Sequence, residues 1–166
     1  MTQSPDLAPA PDAPPAPTGA PGAPGGFDKA RSPGYLANHM ARLFAQGLAE
    51  AIRPLGLAPA QFMTLLELWD EDGLTQADLV ARLDVEQATM AGTLGRMVRD
   101  GLVTRRPHPS DRRAQCIHLT ERARALRAPA TAAAASVNAQ ALSGLAPAKA
   151  AEFVDLLHRI IGNLRD

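Results

Sequence analysis

Two runs of side chains in this sequence are suited to holding a polyanion. In QATMAGTLGRMVR, residues 87–99, a helical reading turns Met90, Leu94, Met97 and Val98 inward and leaves Ala88, Thr89, Gly92, Thr93, Arg96 and Arg99 outside. A threonine hydroxyl can donate to or accept from a base edge or a phosphate, and its methyl can touch thymine. Arg96 can reach a guanine edge or a phosphate. The second run, RRPHPSDRRA, carries Arg105, Arg106, Arg112 and Arg113 around two prolines, a serine and Asp111. Guanidinium groups on an exposed turn match phosphate geometry better than lysine does.

Other chemistries find little support. The four histidines, His39, His108, His118 and His158, lie in different predicted elements, with no HExxH motif, phosphate-cradling glycine loop or nucleophile-and-base motif. Cys116 is the only cysteine, so an intrachain disulfide and a cysteine zinc cluster are excluded. Cys116 and His118 could share a strand face, but two ligands are too few for a structural zinc. No cofactor, metal or catalytic activity is expected. The apolar segments fall short of the roughly 18 residues that a membrane span needs, and no secretory leader stands at the start, so a cytoplasmic protein is expected.

The formal net charge is zero, but its distribution is uneven. Residues 50–86 carry eight acids against two arginines, whereas residues 96–127 carry nine arginines against three acids. Positive charge is therefore concentrated around the second run, as a phosphate-binding surface requires.

The elements that must position these groups follow from local signals. Ser32 and Pro33 open an amphipathic helix over about 33–53, bounded by Pro54. Pro59 opens a second, ending at Asp72 and Gly73, with Phe62, Leu65, Leu66 and Trp69 on its apolar face. Thr75 and Asp78 form a capping box for a third helix through Leu83. The fourth runs over about 87–100 and stops at Gly101. Its Gly92 and Gly95 each cost about 1 kcal/mol relative to alanine. Gly92 would let the backbone approach a groove floor; relief of crowding in the core is at least as good a reading for Gly95. Residues 102–106 and 115–119 form a two-stranded ribbon, and Thr120 caps a fifth helix that Pro129 should kink or locally interrupt. A final helix carries Phe153, Leu156, Leu157, Ile160, Ile161 and Leu164, a stripe that needs a partner surface, supplied by the first helix across a two-fold axis. Helix, turn, helix and ribbon in this order describe a winged helix-turn-helix.

The words LTQADLVARL, QATMAGTLGRMVRDGLV, RPHPSDRRAQ and HLTERARAL resemble the MarR family of bacterial transcriptional regulators, over about residues 33–166. The resemblance implies a mainly α fold with a two-stranded β-wing, and long N- and C-terminal helices forming a dimerisation region. The Pro/Ala/Gly-rich composition of the start makes residues 1–31 a disordered tail, and the resemblance leaves it outside a domain over 32–166. Within that domain the winged helix takes about 59–119 and the dimerisation helices about 33–53 and 120–165. It implies a homodimer on double-stranded DNA, a pseudo-palindromic operator with half-sites about 10 bp apart, and repression relieved by a small aromatic or phenolic ligand or an oxidant.

By the same resemblance the fourth helix enters the major groove, with Ala88, Thr89, Gly92, Thr93 and Arg96 as its contacts. Arg113 matches the wing-tip arginine placed in the minor groove, Asp111 the acid that orients it, and Arg112 and Arg106 are phosphate contacts. Two departures bear on readout: Glu86 stands where a serine-like cap is frequent, and Gly92 and Gly95 replace residues often polar or long. His39, Arg42, Phe62 and Trp69 could line an effector cleft where the first, second and fifth helices meet, although ordinary packing accounts for each of them. Cys116, in a wing strand, is poorly placed to sense an oxidant. The rival reading is a winged helix used only for protein contacts, with little affinity for duplex DNA.

Overall fold

The computed structural model describes residues 28–111 and 113–165. Most of the expected tail, residues 1–27, lies outside them, as does Arg112. Asp28 accepts from the Ala30 N–H and caps a 3-10 turn at Lys29–Arg31. The Ser32 hydroxyl then accepts from the Tyr35 N–H, and Pro33, which has no N–H to satisfy, starts α1 (Pro33–Ile52). A second 3-10 turn and a left-handed Gly56 (φ 71°) lead to α2 (Pro59–Asp70).

In α3 (Gln76–Leu83) the reciprocal capping box forms: the Thr75 hydroxyl accepts from the Asp78 N–H and the Asp78 carboxylate from the Thr75 N–H. α4 (Gln87–Arg99) ends at Gly101 (φ 66°), and the Leu102 N–H bonds back to Met97 O. The wing pairs β1 (Val103–Pro107) antiparallel with β2 (Gln115–Leu119), in the register Val103 to Leu119 and Arg105 to Ile117. Across the other edge of β2, Ile117 exchanges bonds with Gly73 and Leu74 at 3.0 and 2.8 Å, fixing the wing to the α2–α3 turn.

The single helix expected after Thr120 is broken into α5 (Glu121–Ala125) and α6 (Arg127–Ala141). Pro129 explains the position of the break. It cannot donate to the Ala125 carbonyl four residues back, and its ring crowds that carbonyl, so the helix yields there. The last helix is α7 (Pro147–Asn163). None of the helices among the described residues is long and apolar enough to cross a membrane.

One cluster fills the space between α2, α3, α4, the wing and α5, with Leu65, Leu68, Leu79, Leu94, Met97, Leu102 and Ile117 fully buried. Phe62 and Trp69 meet edge to face at 6.1 Å, and Trp69 Nε1 donates to Ala123 O at 3.0 Å, tying α2 to α5. By contrast α7 buries no residue fully, and α1 buries only Ile52. Leu36, Leu43, Ile160 and Ile161 remain about half exposed on these two helices.

Candidate nucleic-acid interface

The phase of α4 is set by what it buries. Met90, Thr93, Leu94 and Met97 face the core. At 100° per residue Thr93 lies about 50° from the centre of that stripe and Val98 about 90°. Two expectations are corrected accordingly. Thr93 is 2% exposed rather than on the outer face, and Val98 is 43% exposed rather than part of the buried stripe. The Thr93 hydroxyl accepts from Arg96 Nη2 at 3.1 Å, so it positions that guanidinium instead of presenting itself to a groove.

The remaining outer positions of α4, Ala88, Thr89, Gly92 and Arg96, are exposed. Gly92 and Gly95 both lie about 30° from the line opposite the core stripe. A Cβ at Gly95 would meet nothing within 4 Å, and one at Gly92 only Arg96 Nη1 at 3.7 Å. Core crowding therefore explains neither glycine. Glu86 precedes the helix without a side-chain cap, leaving the first N–H groups of α4 without that acceptor.

The wing stands beside the start of α3 and α4. A polar cleft of about 370 Å³ is bordered by Thr75, Gln76, Gln87, Arg105, Arg113 and Gln115. Gln76 Nε2 donates to Gln87 Oε1 at 3.1 Å, linking the two helix starts. Nothing in the sequence pattern marks Gln76 or Gln87, and Arg105 figures there only as charge. Arg106 and Arg113 are exposed, as is Asp111. Asp111 Oδ1 accepts from the Arg113 backbone N–H at 2.8 Å, so the acid orients this residue through its main chain.

Two other arginines of the basic segment are bound within the protein. Arg122 Nη1 donates to Asp100 O at 2.6 Å, and Arg124 Nη2 to Asp72 Oδ2 at 2.8 Å. Asp72 also accepts from the Gly73 and Leu119 N–H groups, with His118 Nδ1 at 3.7 Å. Partial burial pushes the Asp72 carboxyl up, but the Leu119 bond, the Arg124 bond and the charges of Arg124 and His118 outweigh it and hold the pKa below the ordinary value.

His39, Arg42, Phe62 and Trp69 do not converge on one cleft. Phe62 and Trp69, seven residues apart on one face of α2, are core residues that pack against each other. Arg42 is exposed on α1, and His39 borders a separate, largely apolar groove of about 830 Å³ between α1, α6 and α7. Among the described residues no three His, Cys, Asp or Glu side chains gather as metal ligands.

Residues 55–114, which span α2 to the wing tip, match the model of the MarR family. The fold is similar to a MarR transcriptional regulator from Methanosarcina mazei Go1, at 25% identity and TM-score 0.74, over 78% of this chain and 94% of that one. It is similar to a probable transcriptional regulator from Pseudomonas aeruginosa, at 27% identity and TM-score 0.74, over 79% and 98% of the two chains. It is also similar to BpsR of Bordetella bronchiseptica, whose DNA binding is regulated by 6-hydroxynicotinic acid, at 26% identity and TM-score 0.75, over 82% and 97%. With the capped helix pair, the glycine-stopped fourth helix and the two-stranded wing, these likenesses show that residues 55–114 carry a MarR-family segment and that the chain has the winged helix-turn-helix fold of MarR-family transcriptional regulators.

Proposed function

We propose that the protein acts as a homodimeric repressor on a pseudo-palindromic operator and is released from it by a small aromatic acid. The observation that carries the DNA contact is the cleft where the start of α4 meets Arg105 and Arg113 of the wing. A duplex lying against it would meet Ala88, Thr89, Gly92 and Arg96 in one major groove and Arg113 in the flanking minor groove. A narrow A·T-rich groove focuses negative potential on such an arginine. Arg106 and Arg112 would take phosphates, and Asp111 would hold the Arg113 backbone in place. Thr93 contributes through Arg96.

The half-exposed apolar residues of α1 and α7 support the dimer, because two helices with so little buried surface of their own gain by covering each other's faces. The ligand class is proposed by analogy with BpsR, which answers to 6-hydroxynicotinic acid.

The test is an electrophoretic mobility shift on the DNA upstream of the protein's own coding sequence, across a salt series. A discrete complex whose affinity falls steeply with salt is expected, since several phosphates are neutralised at once. Absence of any sequence-specific complex at low salt overturns the proposal.

A further inference from the structure

The wing tip carries a histidine that none of the contacts above uses. Two backbone donors converge on His108 Nδ1, the N–H of Asp111 at 3.1 Å and that of Ser110 at 3.3 Å, with the Ser110 hydroxyl oxygen also 3.3 Å away. The His108 N–H itself donates to Ala114 O, and the Ala114 N–H to Asp111 O, both at 3.1 Å. Pro107 and Pro109 have no N–H to place. With Asp111 Oδ1 accepting from the Arg113 N–H, every described backbone donor from 108 to 114 has an acceptor, and two side chains, His108 and Asp111, supply three of those bonds.

We propose that His108 is the positioning residue of the wing tip: its unprotonated Nδ1 closes the 108–111 turn from which Asp111 presents Arg113. An imidazole nitrogen accepts only while it carries no proton, so protonation at Nδ1 converts the acceptor into a donor facing two N–H groups. The turn then loses its closure. An asparagine Oδ1 at the same place could accept the same bonds, as asparagine does in many turns. The other ionisable groups facing this imidazole are Asp111 and Arg113 in its own loop and Asp78 on α3, which is within electrostatic reach of it.

The first experiment uses the free protein and needs no DNA. In ¹H–¹⁵N spectra across a pH titration, the Ser110 and Asp111 amide resonances should move with the same midpoint as the His108 ring. In His108→Asn these movements should vanish, while any caused by Asp78 or Asp111 persist. In His108→Ala the Ser110, Asp111 and Arg113 amides should exchange faster, and in His108→Asn they should stay protected. Amide shifts that do not follow the ring, or unchanged exchange in His108→Ala, overturn the proposal.

The second experiment rests on the DNA-binding reading and compares duplexes with A·T-rich and G·C-rich flanks, above the pH at which the ring titrates. His108→Ala should lose about 100-fold on A·T-rich flanks, about tenfold for the groove contact disturbed in each of the two half-sites, with His108→Asn close to the parent. Equal losses for Ala and Asn would overturn the role in DNA binding. If the parent protein fails to recognise DNA at all, the reading in "Proposed function" falls, while the spectra still decide what His108 does.

Discussion

Replacing Gly92 and Gly95 by alanine separates what these residues cost the fold from what they give to binding. Each glycine sits in the interior of a 13-residue helix, where alanine is favoured by about 1 kcal/mol. Neither substitution meets an obstacle, because the added Cβ finds open space at Gly95 and only an ordinary contact with Arg96 at Gly92. Both variants should therefore be more stable by about 1 kcal/mol, or about 2 to 4 °C in melting temperature for a domain of this size. Urea unfolding monitored by circular dichroism measures the gain directly.

Binding should respond differently. Gly92 lies in the second turn of α4, in the half of a recognition helix that reaches base edges, and Gly95 lies a turn later. A methyl group forced against a groove floor costs about 1 kcal/mol at the low end for an overpacked contact. Two half-sites double that figure, so Gly92→Ala should weaken operator binding about 30-fold, and Gly95→Ala much less. A Gly92→Ala protein that gains stability and binds DNA as well as the parent would refute the close approach. Destabilisation by either substitution would refute the reading of these positions as sterically open.

Three further outcomes follow from the same geometry. Arg113→Ala should weaken binding most on A·T-rich flanks, whereas Arg96→Ala should weaken it regardless of flank; equal flank dependence in titrations of both variants would contradict the minor-groove role. Asp72→Asn should lose about 1 to 2 kcal/mol at neutral pH through its charge-assisted bonds to Arg124 and Leu119. Because the folded carboxyl has the lower pKa, its contribution is complete above the unfolded value near 4 and is lost as pH falls through the folded one. Urea unfolding from pH 7 to pH 3 should therefore show a shallower acid slope for Asp72→Asn than for the parent. Leu43→Asp and Ile160→Asp, at half-exposed positions, should each shift sedimentation from dimer to monomer, and a dimer retained in both would remove this face from the interface.

What the sequence disclosed most clearly was local. The Ser32 cap, the Thr75 and Asp78 capping box, the glycine stop at Gly101 and the span of β2 each depend on a few neighbouring residues, and each is found in the structure. Where a side chain points depends on a longer balance. Thr93 carries a methyl as well as a hydroxyl, so a position about 50° from the core centre can bury it once Arg96 satisfies the oxygen. Val98, about 90° away, stays out although its side chain is wholly apolar. The four candidate effector residues lie apart for a related reason. An aromatic face on α2 can equally line a cleft or fill a core, and the edge-to-face packing of Phe62 and Trp69 together with the Trp69 bond to Ala123 decides for the core.

The basic segment shows how far a charge count reaches. Nine arginines between residues 96 and 127 read in sequence as one cationic surface, but they are of at least three kinds in space. Arg122 closes the end of α4 by donating to the Asp100 carbonyl, and Arg124 holds the α2–α3 turn through Asp72. Arg96 is steered by a buried threonine, while Arg105 and Arg113 border the cleft at the start of α3. The clamping arginines already have oxygen acceptors inside the protein, and a phosphate would have to compete with them. Removing either should therefore appear first as lost stability, whereas removing Arg113 should leave stability alone and appear in the salt dependence of binding, one phosphate or groove contact at a time. Arginine serves both purposes because its planar fork suits a carbonyl, a carboxylate and a phosphate alike. The acceptor that each one meets decides its role, and in this fold that acceptor is set by the capped turns on either side of the wing.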